Sequence, residues 1–374
     1  MKRVLILTAD FGFGHRSAAN ALAEAFHENY GEDCHAEIVN PLDDPRTPGF
    51  LREDQENYSK LVRQMPELYK LGYRVSDRRV TGTLLEGTWT LMLFNVLRDI
   101  VKQQKPDAII CTYPFYQGIL DMVFSIRKKR ILTFTVVTDL GGVNRSWFHP
   151  APDLCFVPTQ MVYNLAVKNG ITPDRVKITG IPVRPELAQK AKDRASLRSE
   201  LGWSQDLFTV LAIGSKRVGN LYDSMWVLNH SGFPLHLVII AGGEQPLYQR
   251  FQETTWHHET HVFNYVAELA PFLKAADCVI GKAGGLMVSE SLACGLPMIL
   301  IDIIPGQETG NAKFVVNGNA GKIAKTPEEV LETMCHWLEN DQFRFHQQAQ
   351  NALLLGRPQA AHDISEQVWS AISS

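Results

Sequence analysis

Short apolar runs alternate with amphipathic segments along the chain, a pattern that predicts strands joined by helices. Residues 4–8 form an apolar run, a glycine turn follows, and 17–30 place apolar residues at helical spacing. A strand, a glycine turn and a helix in this order predict the start of a doubly wound α/β domain. Further strands of this domain are predicted at 106–111, 131–138, 153–158 and 176–180.

The strand pattern restarts after 181–185, where two prolines in five residues predict an interdomain linker. Five more strands are predicted at 208–213, 235–241, 261–264, 278–281 and 297–302, followed by a helical region. The predicted fold class is α/β, with two doubly wound Rossmann-like domains facing a cleft. We assign 1–183 to the first domain, 184–350 to the second and 351–374 to a C-terminal helix that packs back toward the first. Ligands of such domains bind beyond the carboxyl ends of the strands.

The first strand-end motif is Gly12-Phe13-Gly14-His15. Its glycines permit a sharp turn, and the helix that follows presents free backbone N–H groups. His15 can take a proton from an alcohol near neutral pH, or it is an incidental histidine at a helix start. Asp139 follows the predicted central strand, where it acts as a base, orients one or forms an ordinary Asx turn.

Two motifs of the second domain suit a nucleotide sugar. Gly284 and Gly285 allow a phosphate to approach a helix N-terminus, and Glu290 in that helix can accept hydrogen bonds from ribose hydroxyls. Gln307 and Glu308 lie on another strand-end loop, which is rich in groups that bind sugar hydroxyls. The alternatives are a plain βα turn and a helix-capping loop.

The stretch 54–100 has a different composition, with a basic and aromatic part followed by a bulky apolar part. This combination suits an anionic membrane surface, and the alternative is a core helix preceded by a solvated basic face. The candidate acceptor or membrane residues are Gly12, Gly14, Arg78, Arg79, Trp89, Phe94 and Trp147.

Composition narrows the function classes. The 374 residues are 45% hydrophobic with a net charge of −3, which is typical of a soluble globular protein and excludes a global basic footprint for nucleic acid. Six scattered cysteines without zinc spacing indicate reduced thiols in a cytosolic protein. No apolar run reaches the roughly 18 residues that span a bilayer. The histidine-rich segment 257–261 does not match HExxH and is predicted to be a surface loop without a metal ion.

Four stretches carry a family resemblance: GFGHRSAANAL at 12–22, TVVTDLGGVNRSWFHP at 135–150, GIPVRPEL at 180–187, and the long run 276–315, which begins ADCVIGKAGG. Together they resemble the monogalactosyldiacylglycerol synthase and processive diacylglycerol glucosyltransferase family, a relative of the lipid-II-forming N-acetylglucosaminyltransferase. The resemblance implies a GT-B fold and inverting transfer of galactose or glucose from a UDP-sugar to diacylglycerol. It implies no cofactor and no metal ion, and a cytoplasmic enzyme held peripherally at the inner face of the cell membrane.

The resemblance also implies roles for individual residues. His15 and Asp139 match acceptor-domain motifs and are the predicted catalytic residues. By motif, the diphosphate lies against Gly284, Gly285 and Leu286, the ribose against Glu290, the sugar against Gln307 and Glu308, and the uracil against a segment from Phe263 to Val266.

One loop departs from the family pattern. Where the family carries a glycine-rich loop after the first strand of the second domain, this chain has Gly214-Ser215-Lys216-Arg217-Val218-Gly219. Lys216 and Arg217 either pair with the diphosphate or block the usual donor pose. This departure leaves open a non-catalytic nucleotide-sugar sensor. A UDP-sugar 2-epimerase, which has the same two-domain architecture without a lipid surface, is the other alternative, and the stretch 54–100 argues against it.

Overall fold

The structure is a computed structural model that describes residues 1–10, 13–47, 93–127, 130–189, 193–215, 218–304, 306 and 308–373. The chain forms two compact units. Unit 1 contains Met1–Pro185, Pro305–Gly310 and Arg357–Ser374, and unit 2 contains Glu186–Ile304 and Asn311–Gly356.

The strands of the described chain are β1 Lys2–Leu7, β2 Cys34–Val39, β3 Ala108–Cys111, β4 Leu132–Val136, β5 Leu154–Val157, β6 Val176–Ile178, β7 Phe208–Ile213, β8 Leu235–Ile240, β9 Glu259–Phe263, β10 Cys278–Gly281, β11 Met298–Leu300 and β12 Gly321–Ile323. The helices are α1 Phe13–Tyr30, α2 over 93–104, α3 Gln117–Arg127, α4 Gln160–Lys168, α5 Arg194–Leu201, α6 Leu221–Asn229, α7 Gln245–Gln252, α8 Ala270–Ala275, α9 Gly285–Ala293, α10 Thr309–Asn317, α11 Pro327–Leu338, α12 Phe343–Leu355 and α13 Ala360–Ser373.

Unit 1 is built on a parallel sheet of strand order β2-β1-β3-β4-β5-β6. Successive side chains of β1 point to opposite faces, and both faces are covered by helices. Val4 and Ile6 pack with residues of α1 and α13, whereas Leu5 and Leu7 pack with residues of α2 and α3. This double burial explains why the strand is apolar throughout.

The C-terminal helix α13 completes the core of unit 1. It packs along α1, where the rings of Tyr30 and Trp369 stack with centroids 4.2 Å apart. The side-chain amide of Asn29 donates to Ser365 Oγ at 2.8 Å. Ile364 and Val368 are fully buried in the same cluster as Val4.

Unit 2 repeats the plan, with strand order β12-β11-β10-β7-β8-β9 and parallel pairing. All residues of β7, β8 and β10 are buried. The sheet has six strands, one more than the five predicted, because β12 is an edge strand with only its first residue buried and a lysine at its centre, which leaves no apolar run. The segment 257–261, predicted to be a surface loop, instead enters strand β9 at Glu259.

Strand order reverses once in each sheet. β1 has β2 on one side and β3 on the other, and β7 has β8 on one side and β10 on the other. At such a reversal the following loops diverge to opposite faces and leave a crevice at the carboxyl end of the sheet, where ligands bind. Each unit therefore has one candidate crevice, between β1 and β3 and between β7 and β10.

Gly242, directly after β8, allows the loops of unit 2 to pack closely at this end of the sheet. It has a φ of +71°, and a Cβ there would collide with the carbonyl group of Gly214, which follows β7. Gly243 also has a positive φ, +83°, but open space where its Cβ would lie.

We therefore expect Gly242→Ala to be more destabilising than Gly243→Ala. The backbone penalty alone, about 1 kcal/mol, applies to both, and the collision adds roughly 2 kcal/mol more at Gly242. Urea unfolding of both variants measures the difference. Equal losses of the free energy of unfolding in the two variants would show that the packing of Gly242 against Gly214 does not contribute to stability.

Candidate active site

The crevice of unit 1 is organised around the start of α1. His15 lies in the first turn of this helix, and Thr112 follows β3, the strand across the reversal. Thr112 Oγ1 donates to the backbone carbonyl of His15 at 3.1 Å, and the Thr112 N–H donates to the Leu7 carbonyl at 2.9 Å. These bonds fix the start of α1 against the loop after β3.

The imidazole of His15 lies in an aromatic pocket. Its Nδ1 is 2.9 Å from Thr138 Oγ1, which lies just beyond the end of β4. The ring meets Tyr113 edge-on at 5.2 Å between centroids and Trp147 at a tilt at 5.8 Å. Only 8% of His15 is exposed. Thr138, which contacts the ring, was not among the predicted site residues and directly precedes the predicted catalytic residue Asp139.

Burial controls the charge of this histidine. Desolvation lowers the pKa of His15 to about 4, against a backbone hydrogen bond with Thr112 and the negative charge of Asp10, which both raise it. The imidazole is therefore neutral at physiological pH. A neutral imidazole keeps a lone pair that can accept a proton.

A charged network braces the turn before α1. Arg16 donates to both carboxylate oxygens of Asp10 at 2.8 Å, a bidentate pair. Asn40 Nδ2 donates to Asp43 at 2.9 Å and to Asp10 at 3.3 Å. Sequence analysis did not select these residues. The position of Asp10, between the strand and the glycine turn, was the available signal.

The crevice of unit 2 has the start of α9 on one side. Gly284 is the N-cap, no described side chain caps the helix, and its first turn carries no acidic residue. Gly284, Gly285 and Leu286 are partly exposed, so the free amides of the first turn are accessible to solvent. Glu290 lies in the second turn and is 3% exposed.

A carboxylate in the loop after β11 anchors the other side of this crevice. Asp302 accepts hydrogen bonds from the backbone N–H of Asn220 at 2.7 Å and from its Nδ2 at 2.8 Å. Asn220 is the N-cap of α6, so Asp302 anchors the end of the loop that begins at Gly214. Asp302 adopts a φ of +50°, a costly conformation for a residue with a side chain. Sequence analysis missed both residues.

The chain matches two protein-family models and several plant proteins. The family model described as monogalactosyldiacylglycerol (MGDG) synthase matches residues 15–183, and the glycosyltransferase family 28 C-terminal domain matches 220–368. The chloroplastic monogalactosyldiacylglycerol synthase of Spinacia oleracea is 33% identical over 390 residues, covering 99% of this chain and 73% of that protein. A probable chloroplastic monogalactosyldiacylglycerol synthase of Glycine max is 32% identical, covering 98% and 72%.

The chain belongs to the monogalactosyldiacylglycerol synthase family. Members of this family are glycosyltransferases, and the family predicted from the motifs is confirmed.

Solved structures confirm the predicted α/β class and the two-domain GT-B fold. MurG of Acinetobacter baumannii gives a TM-score of 0.62 at 15% identity, and the match covers 99% of this chain and 100% of the MurG chain. The UDP-GlcNAc 2-epimerase of Neisseria meningitidis bound to UDP-GlcNAc gives 0.63 at 14% identity, covering 99% and 100%. MnaA of S. aureus with UDP gives 0.66 at 13% identity, covering 100% and 97%. At such low identities the likeness shows the fold alone.

The remaining predicted residues of this family member lie at several places. Phe263 ends β9 and meets Phe272 edge-on at 5.2 Å, and Val266 lies in the loop that follows. Glu308 is 3% exposed and belongs to Pro305–Gly310, the short segment that is part of unit 1. Within unit 1, Gly310 packs so closely against Gly141 that a Cβ at Gly310 would collide with it.

Several predictions fall outside the described residues: Gly12, Arg78, Arg79, Trp89, Lys216, Arg217 and Gln307. Gly14 is described, in the first turn of α1.

Two of the described candidates for membrane contact are packed inside unit 1. Phe94 lies on α2 against the core that contains Leu93 and Leu97, with the Arg98 guanidinium 5.9 Å from its ring centroid. For residues 93–100, the described end of the stretch 54–100, the structure supports the alternative of a core helix. Trp147 is 3% exposed and contacts His15, so it lines the pocket and does not present its ring to a membrane. None of the helices in the described ranges combines the length and hydropathy of a membrane span.

The low pKa of His15 predicts a pH-dependent stability. Its folded pKa, about 4, lies below the ordinary value of 6.5, so below 6.5 the unfolded chain binds a proton that the folded chain does not. Stability is full above about pH 6.5 and falls as the pH drops, by about 2 kcal/mol at pH 5 for this group.

Urea unfolding near neutrality and near pH 5 tests this dependence. The free energy of unfolding should differ between the two pH values by about 2 kcal/mol less in His15→Gln than in the unaltered chain, whatever the absolute stability of the variant. His27→Gln, on the exposed side of α1, is the matched control and should keep the full difference. An unchanged pH difference in His15→Gln would contradict the inferred pKa.

Proposed function

We propose that this chain transfers galactose from UDP-galactose to the hydroxyl group of diacylglycerol, with inversion at the anomeric carbon and without a metal ion in the reaction. We propose further that it works peripherally at the inner, cytoplasmic face of a membrane with anionic lipids. Support comes from relatives named as monogalactosyldiacylglycerol synthases that align over 98–99% of this chain.

The observation that carries the proposal is the neutral His15 at the strand reversal of unit 1. Inverting transfer needs a base that removes the proton of the acceptor hydroxyl, and such a base contributes about 10²–10⁴-fold in rate. The imidazole of His15 is neutral, as such a base must be, and the hydroxyl of Thr138 holds its ring in position. Tyr113 and Trp147 give the pocket apolar walls, which suit an acceptor attached to a lipid.

The low pKa of His15 constrains the timing of proton transfer. An imidazole with a pKa of about 4 is a weak base toward a free alcohol. The acceptor oxygen becomes acidic only as it bonds to the anomeric carbon and UDP departs. We therefore expect the proton to move late, together with the breaking of the bond to UDP. Asp10, whose charge raises the pKa of His15, favours the imidazolium that forms.

The donor half of the proposal rests on α9. UDP leaves with additional negative charge on its diphosphate, and the amides and dipole at a helix N-terminus stabilise such charge without a metal. The start of α9 has partly exposed glycines and no acidic side chain in its first turn, as this role requires. Glu290 is proposed to bind the ribose, and Glu308 with Gln307 to bind the sugar.

The decisive experiment combines purified protein with diacylglycerol in anionic vesicles and, separately, UDP-galactose, UDP-glucose and UDP-N-acetylglucosamine. Mass spectrometry of the lipids should show one hexose added from UDP-galactose only, and sedimentation with the vesicles should show peripheral binding. Product from UDP-glucose would correct the sugar, and longer glycans would show processivity. An epimerised nucleotide sugar formed without lipid, or UDP binding without any product, would refute the proposal in favour of an epimerase or a sensor.

Two variants separate the proposed roles of the units. His15→Ala should lower the rate of transfer by about 10²–10⁴-fold and leave UDP affinity unchanged. Glu290→Gln should weaken UDP binding by about tenfold, because one charge-assisted hydrogen bond to the ribose is lost. Transfer rates and calorimetric UDP affinities test both. Near wild-type turnover of His15→Ala would remove this residue from the mechanism.

A further inference from the structure

Three side chains with metal-binding atoms converge on one face of the sheet of unit 2. His236 lies on β8, and Glu259 and His261 lie on β9, the edge strand beside it. His236 is paired in register with Glu259, and residues 259 and 261 share a face because side chains alternate along a strand. The ligand atoms of all three lie within 4.8 Å of one another.

The inner histidine of this cluster has an unsatisfied nitrogen. His236 is fully buried, and its Nε2 has no hydrogen-bond partner. The other ring nitrogen, Nδ1, lies 3.3 Å from Thr209 Oγ1, whose hydroxyl can donate to the Leu207 carbonyl at 3.5 Å. With Nδ1–H donating to Thr209, the lone pair of Nε2 is left on the side of Glu259, whose Oε1 is 3.9 Å away. This arrangement has the form of a metal-binding histidine oriented by a second hydrogen bond.

We propose that His236, Glu259 and His261 bind a divalent transition-metal ion of the Zn²⁺ class. Two imidazoles and a carboxylate are a common zinc ligand set, and they leave a fourth position for water. The exposed fractions of the Glu259 and His261 side chains, 44% and 33%, provide access for the ion and that water.

The spacing fits a site that closes on its ion by small movements. Glu259 Oε1 is 3.9 Å from Nε2 of His236 and 3.9 Å from Nε2 of His261. Ligand atoms of tetrahedral zinc lie about 3.4 Å apart, given bonds of about 2.1 Å. The two pairs that include Glu259 must close by about half an ångström, and the two histidines, within 4.8 Å of each other, by at most about 1.4 Å. Glu259 and His261 are partly exposed on an edge strand, so their side chains can make these movements without repacking the core.

The surrounding charges permit a cation. Glu259 supplies one negative charge, and burial keeps His236 neutral by lowering its pKa to about 4. The positive charge of Arg198 also lowers the pKa of His236, and the Arg198 guanidinium is paired with Asp277 at 2.6 Å. The approaching ion therefore meets one uncompensated carboxylate.

The ion would tie the edge strand β9 to β8. β9 continues into Phe263, whose ring stacks on that of His261 with centroids 6.4 Å apart. His236 and Glu259 lie near the amino ends of β8 and β9, whereas α9 begins beyond the carboxyl end of β10, so within unit 2 the site is separate from the proposed donor crevice. The sequence analysis predicted no metal ion at 257–261, because this segment does not match HExxH. The proposed site differs from that motif because His236 comes from β8, the strand paired with β9.

The full-length chain, stripped of metal with a chelator, can be dialysed against Zn²⁺ and its metal content measured. We expect one ion per chain, and His261→Ala should weaken binding by about 100-fold, with a smaller loss in Glu259→Gln. Both residues are partly exposed, so these variants should fold, which circular dichroism checks. X-ray absorption of the bound zinc should count two imidazole ligands.

The matched control is His257→Ala. His257 is exposed and forms a neighbouring histidine pair with His230, ring centroids 5.0 Å apart, which is the obvious competing place for zinc. We expect this variant to keep full affinity. The proposal is overturned if the unaltered chain retains no zinc at micromolar concentrations, if His261→Ala binds as tightly as the unaltered chain, or if binding is lost in His257→Ala. Zinc binding is read independently of glycosyl transfer, so failure of the proposed function leaves this test intact.

Discussion

Reversal of strand order in a parallel sheet is the constraint on which both candidate crevices depend. Crossovers between parallel strands are right-handed, so strands added on opposite sides of β1 or β7 carry their helices to opposite faces. The loops after β1 and β3, and after β7 and β10, therefore diverge and leave a crevice where ligands of such sheets bind. His15 and the start of α9 lie at these two positions.

Sequence patterns were sufficient where an element is buried on both faces or marked by glycine. The apolar runs of β7, β8 and β10 and the glycine motifs at the starts of α1 and α9 identified the two-domain fold. The first helix begins at Phe13, four residues before the predicted start at residue 17, because the glycine motif forms its first turn. Strand β2 was missed because five of its six residues are at least partly exposed, which leaves no apolar run. The side chains that position the site were also missed. Thr138 meets His15 across 123 residues and Asp302 meets Asn220 across 82, and no local pattern encodes such contacts.

Placing a histidine in an aromatic pocket sets a limit on its chemistry. Desolvation keeps the His15 ring uncharged and ready to accept a proton, and the same desolvation makes the protonated form costly. The opposing contributions of Thr112 and Asp10 are too small to restore an ordinary pKa. The pocket therefore favours a reaction in which little positive charge rests on the ring for long. Arg16, by engaging both oxygens of Asp10, limits how far that carboxylate can help.

The position of α13 has a consequence for biosynthesis. This helix supplies Ile364, Val368 and Ile372 to the cluster that covers β1, yet the ribosome makes it only after all of unit 2. During translation, the part of this face that α1 does not cover therefore stays exposed while unit 2, nearly contiguous in the chain, can already fold. A nascent chain in that state exposes apolar surface of the kind that chaperones recognise. Synthesis of unit 1 thus begins first and ends last. A premature stop within α13 would remove side chains that cover β1, at the opposite end of the polypeptide, and would destabilise unit 1.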